Sequence, residues 1–159
     1  MHYMSSVTTL EITSKRPEDT SALGQRLAEI LKTSDVRFIE LIGDLGTGKT
    51  QLVRGLARGI NSQDVVQSPS FTISRQYNGN DITIHHYDLY RLGDEPGIIQ
   101  SELQESIDDP KVITVIEWAD SVIGFLPKNR IKIIISHHKD EQSRNIKIRA
   151  DAHLVEMIR

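Results

Sequence analysis

The run Gly43-Asp44-Leu45-Gly46-Thr47-Gly48-Lys49-Thr50 constrains this chain more than any other segment. It follows a compact apolar stretch, residues 37–42 (RFIELI), which reads as a strand. It leads into residues 49–60, where Leu52, Val53, Leu56 and Ile60 recur at helical spacing. A strand enters the glycine-rich turn and a helix leaves it, which is the setting in which G-x-x-x-x-G-K-[ST] forms a phosphate-binding loop.

Each position in that loop has a physical task. Gly43, Gly46 and Gly48 admit backbone angles closed to other residues and carry no side chain that blocks an anion. Successive backbone N–H groups then make an anion-binding concavity. The helix start adds unpaired N–H groups and the positive end of its dipole. Lys49 is placed to reach the β- and γ-phosphates, and the Thr50 hydroxyl to bind Mg²⁺. The expected nucleotide-binding segment is Gly43, Asp44, Leu45, Gly46, Thr47, Gly48, Lys49, Thr50 and Gln51. No N-K-x-D segment that would read guanine occurs in the chain, so ATP is the expected nucleotide. The letters D-x-x-G at residues 94–97 follow no apolar strand and are set aside.

A phosphate loop hydrolyses nothing alone. Mg²⁺ needs a carboxylate and the attacking water needs orienting. Two acids stand at the C-terminal ends of expected strands, where ligands bind in open α/β sheets. Asp88 follows ITIHHY and Glu117 follows VITVI. Lys49, Asp88 and Glu117 are therefore the candidate catalytic residues, and Thr50, Glu117 and Asp88 the candidate metal ligands.

The remaining chain reads as one α/β domain over residues 1–159. Residues 7–12 suggest a first strand. Pro17 opens a helix with Glu18 and Asp19 in its first turn and Leu23, Leu27, Ile30 and Leu31 on one face. Residues 71–77 and 81–87 suggest a hairpin turned at Asn78-Gly79-Asn80. Residues 93–96 break the chain, 98–107 suggest a helix, and 111–116 (KVITVI) a buried strand. A short helix over 119–126 stops at Pro127, and residues 130–136 and 144–149 close the chain as two strands. This order predicts a three-layer fold around a mostly parallel but mixed sheet.

Composition excludes some chemistry. The chain has 159 residues, net charge -3 and no cysteine, so disulfides, zinc–thiolate sites and a cysteine nucleophile are ruled out. The opening MHYMSSVTTL lacks a basic-then-apolar leader, and no apolar run approaches the ~18 residues that span a bilayer. A cytoplasmic protein without membrane contact is expected.

Taken together, GDLGTGKTQLVRG, SPSFTI, HYDLYRL and IEWAD resemble the TsaE (YjeE) family of ATPases in tRNA modification, in the family's order and similar spacing. The resemblance implies an ATPase that supports N6-threonylcarbamoyladenosine formation at position 37 of tRNA. It implies binding to the transferase subunit TsaD and its inactive paralogue TsaB, with hydrolysis resetting that pair and tRNA met indirectly or weakly. Residues 68–72 match a switch-like loop in which Ser70 stands where the family usually has Thr. His86, Asp88, Tyr90 and Arg91 match H-x-D-x-Y-R; Glu117 and Trp118 match I-E-W. Ala119-Asp120 replaces the frequent Pro-Glu. On this basis Thr50 and Glu117 hold Mg²⁺ and Asp88 orients water or stands behind the metal, or the two acids exchange roles. Trp118 lies near the nucleotide or packs at the core edge.

Other features have plainer readings. Adjacent residues of a strand face opposite ways, so His85-His86 and His137-His138 cannot easily grip one ion. Arg91 suits either charge stabilisation, a partner contact or a surface ion pair. Arg144, Lys147 and Arg149 are expected to share one face, solvated or touching tRNA phosphate. A small P-loop kinase lacks support without an arginine-rich lid, and a non-catalytic nucleotide sensor would use the same ligands.

Overall fold

A computed structural model describes residues 6–69, 72–92 and 97–159. In chain order the elements are β1 (Val7–Ser14), α1 (Pro17–Leu31), β2 (Phe38–Ile42), α2 (Lys49–Gly59), β3 (Ser74–Asn78) and β4 (Thr83–Asp88). They continue with α3 (Gly97–Asp108), β5 (Val112–Glu117), a 3-10 helix (Ala119–Phe125), β6 (Ile131–His137), β7 (Arg144–Asp151) and α4 (Ala152–Ile158).

Among the described residues seven strands form one sheet in the order β1-β7-β6-β2-β5-β4-β3. The central four, β6, β2, β5 and β4, run parallel. Antiparallel pairs β1–β7, β6–β7 and β3–β4 flank them. The mixed sheet with a parallel centre is as expected. Strand β5 is buried along its whole length, which is why KVITVI shows no polar alternation.

The period-two alternation of the strands sorts the core into two layers. Ile39, Leu41, Ile84, Ile113, Val115, Ile133 and Ile135 pack with α1 and α2. Phe38, Tyr87, Leu89 and Ile116 face the other way, against α3 and the 3-10 helix. Full burial of Leu27, Leu31, Leu52 and Leu56 at the α1–α2 seam contributes about 1.5–3 kcal/mol each.

Three glycines set how closely α2 approaches α1. A Cβ on Gly55 would lie 1.9 Å from the Ser21 carbonyl oxygen, and one on Gly24 would lie 2.2 Å from that of Leu52. One on Gly59 would sit 2.6 Å from Ala28 Cβ. Glycine is costly inside a helix, and this backbone-to-backbone approach is what requires it. The helix that begins at the phosphate loop is thereby fixed against α1.

Several boundaries differ from expectation. Strand β3 begins at Ser74, because Thr72 and Ile73 turn back and donate to the Pro69 carbonyl at 3.0 and 2.9 Å. The short segment after Trp118 is a 3-10 helix. Helix α4 was not expected; the Asp151 side chain caps it by accepting from the His153 N–H at 2.9 Å. Expectations for Ser70, Phe71 and residues 93–96 fall outside the described residues. Among those described, no helix is long and apolar enough to cross a membrane.

Candidate functional site

The site is assembled where three parallel strands end. Leu41 of β2 pairs with Glu117 of β5, and Asp88 of β4 pairs with Glu117. The chain leaves β2 into the glycine-rich turn just where the two carboxylates finish their strands. Asp88 and Glu117 are in register, so both point to the α2 side, the side on which the loop lies.

Within the loop, Gly46 and Gly48 have φ of 78° and 105°, the left-handed region that favours glycine. Gly43 has no positive φ, contrary to expectation. Its constraint is space: a Cβ there would meet the Ile135 carbonyl oxygen at 2.7 Å and Thr47 Oγ1 at 2.6 Å. Thr47 turns its hydroxyl onto the Asp44 carbonyl at 2.9 Å and is not free for a ligand. Leu45 is mostly exposed, so its part in the site is its backbone.

A cleft of about 260 Å³ brings Lys49, Thr50, Gln51, Asp88, Glu117 and Trp118 together with Leu45, Gly46, Gly48 and Ser68. A second cavity of about 350 Å³ lies against Gly43, Asp44 and Thr47 and shares Lys49 and Trp118 with the first. The nine expected loop residues, with Asp88, Glu117 and Trp118, thus each border one of two adjoining spaces. Thr50 and a carboxylate pair facing a phosphate loop form a hard-oxygen donor set suited to Mg²⁺, which takes one or two carboxylates and completes its shell with phosphate and water.

The carboxylates are buried and electrostatically coupled. Burial raises the Asp88 pKa above the usual carboxylate range. The hydrogen bond from the Tyr90 N–H opposes the rise, Glu117 adds to it, and Lys49 and His86 oppose it. That Tyr90 N–H donates to Asp88 Oδ1 at 3.0 Å and fixes one carboxylate oxygen. A buried acid pair of this kind favours binding a cation.

Lys49 is buried and its ammonium donates to the Gly43 carbonyl. Trp118 stands beside it with left-handed backbone angles, φ 55° and ψ 53°, uncommon for a residue other than glycine. Its ring also packs on Tyr90, with centroids 5.0 Å apart. Trp118 is therefore a wall of the site rather than only core filling.

Arg144 is a residue whose place the sequence reading missed. Residues three apart on a strand face opposite ways. Lys147 and Arg149 are exposed on one face, while Arg144 turns to the buried side with Ile146 and Ile148. Its Nε donates to the Thr47 carbonyl at 3.2 Å and its Nη2 to that of Gly46 at 3.3 Å. Those two bonds tie β7 to the glycine-rich turn at its Gly46 and Thr47 carbonyls. Counting by twos from Ile146 would have found it.

The adjacent histidines separate as expected. His85 Nδ1 lies 2.5 Å from Ser106 Oγ on the α3 side. His86 lies on the other face beside Glu117. Arg91 is exposed beyond the end of β4.

Comparison with known proteins supports the pattern. The family model for threonylcarbamoyl adenosine biosynthesis protein TsaE matches residues 14–146. A tRNA threonylcarbamoyladenosine biosynthesis protein TsaE from Haemophilus influenzae is 36% identical over 148 residues, covering 90% of this chain and 92% of that protein. The one from Bacillus subtilis is 36% identical over 142 residues, covering 89% and 86%. The crystal structure of Bacillus subtilis YdiB superposes with a TM-score of 0.75 at 30% identity, covering 96% of this chain and 93% of that one. With a family match across the phosphate loop, both carboxylates and most of the sheet, the chain belongs to the TsaE family, proteins of threonylcarbamoyladenosine biosynthesis.

Proposed function

We propose that this chain is a cytoplasmic ATPase that binds and hydrolyses Mg-ATP in support of N6-threonylcarbamoyladenosine formation at position 37 of tRNA. It drives or resets the TsaD–TsaB transferase pair and meets tRNA indirectly. The observation that carries this reading is the convergence of Lys49, Thr50, Asp88 and Glu117 on one cleft beside the phosphate loop.

In this reading the loop N–H groups and Lys49 bind the phosphates, and Lys49 leaves the Gly43 carbonyl to do so. Thr50 and Glu117 would hold Mg²⁺, which would supply positive charge against the negative charge developing on the phosphates. Asp88, with one oxygen fixed by Tyr90, accepts a hydrogen bond from the attacking water and orients it. Trp118 walls the site and reduces water access.

Mg-ATP hydrolysis by Asp88→Ala and Glu117→Ala tests the assignment. Each is expected to lose activity by about 10²-fold or more while still binding nucleotide. Unchanged hydrolysis in both would remove these residues from the chemistry.

A further inference from the structure

His86 is fully buried on the α2 side of β4, and neither ring nitrogen has a hydrogen-bond partner among the described residues. Buried polar atoms are nearly always paired, so an unpaired imidazole needs a reason. A leucine or phenylalanine would fill the same space without that cost. The Tyr77 ring lies alongside, centroid to centroid 6.5 Å, but its hydroxyl is already committed to the Gln67 carbonyl at 2.8 Å. The side chain of Arg75, opposite His86 in the β3–β4 register, can only donate.

One acceptor stands close. His86 Nε2 is 3.6 Å from Glu117 Oε1, just beyond a hydrogen bond. A shift of a few tenths of an ångström in the carboxylate would close the gap. Glu117 is itself buried and also borders the cleft, so the His86 bond would hold one end of a carboxylate whose other end meets the ligand.

We propose that His86 is a positioning residue that donates its Nε2–H to Glu117 when the site is loaded and fixes which carboxylate oxygen faces the metal. The inference rests on the reading of Glu117 as a Mg²⁺ carboxylate. Partners that orient a metal-binding carboxylate matter nearly as much as the ligand, and their loss costs roughly 10–100-fold in metal affinity.

The test is binding of a fluorescent ADP analogue, titrated with Mg²⁺, to wild type, His86→Phe, His86→Gln and Glu117→Ala. His86→Phe is expected to keep its Mg²⁺-free nucleotide affinity within about twofold and to need at least ~10-fold more Mg²⁺ for half-saturation. His86→Gln, which retains an N–H donor, should recover most of that loss. A wild-type response in His86→Phe, with the response lost in Glu117→Ala, would overturn the role of His86 and leave Glu117 in place. A wild-type response in Glu117→Ala would remove Glu117 from the metal and the inference with it. Nitrogen-15 NMR of the wild-type imidazole reads the same point without a mutation. The Nε2–H tautomer is expected with Mg-nucleotide bound, and an Nδ1–H tautomer would contradict the proposal.

Discussion

The Lys49 ammonium lies 5.2 Å from the centroid of the Trp118 ring while it donates to the Gly43 carbonyl. A cation over an aromatic face is held by about 0.5–2 kcal/mol, more when desolvated. The lysine proposed to bind phosphate is thus kept within the site by its own walls. Trp118 is the chain's single tryptophan, so its emission reports on this contact. Nucleotide binding should draw Lys49 away and change the emission. Lys49→Met should differ from wild type before nucleotide is added and respond little afterwards. An equal response in both proteins would show that Trp118 does not sense the lysine.

Gly55 tests the seam that positions the phosphate-loop helix. An added Cβ would meet the Ser21 carbonyl oxygen at 1.9 Å, a backbone atom that cannot step aside cheaply. Gly55→Ala should cost about 1–3 kcal/mol or more in chemical denaturation, despite the better helix propensity of alanine. A stabilised variant would mean that the two helices have room to spare.

Arg144 bridges the Gly46 and Thr47 carbonyls from β7. Arg144→Ala should leave the thermal midpoint nearly unchanged, since the side chain is half-buried at the rim. It should weaken ATP binding about tenfold, or about 1.4 kcal/mol. Arg144→Lys should recover only part, because an ammonium cannot match the planar fork. Isothermal titration calorimetry measures all three proteins.

His85 predicts a pH dependence on the far side of the sheet. Burial lowers its pKa, with Asp109 and Glu102 pulling the other way. The folded state then binds fewer protons than the unfolded state. The stability that follows is present above the ordinary histidine pKa and is lost as pH falls through the depressed folded value. Between about pH 7 and pH 5 the wild-type midpoint should fall more steeply than that of His85→Gln, measured by thermal melts. Parallel curves would contradict it.

The parts of the fold legible in the sequence were those with a strong local signal. The β2-to-α2 turn carries its glycines, and the β-branched run of β5 marks a buried strand. Asp88 and Glu117 could be placed because each ends a strand, but only the sheet order shows them side by side. Gly24, Gly55 and Gly59 were silent, because their reason is a helix more than twenty residues away. The phosphate-loop role of Arg144 was hidden for the same cause, since its partners lie 97 and 98 residues distant. The strained φ of 66° at Ile73 is likewise set by tertiary bonds, its carbonyl accepting from the Asp88 N–H at 2.8 Å.

The most direct test of the central claim is Mg-ATP hydrolysis by the purified chain, alone and with the TsaD–TsaB pair and tRNA, with Lys49→Ala as the control. Slow hydrolysis alone, strong stimulation by the pair, and loss of both in the control are expected. Hydrolysis that the pair does not stimulate, or that survives in Lys49→Ala, would contradict a partner-activated ATPase working from this phosphate loop.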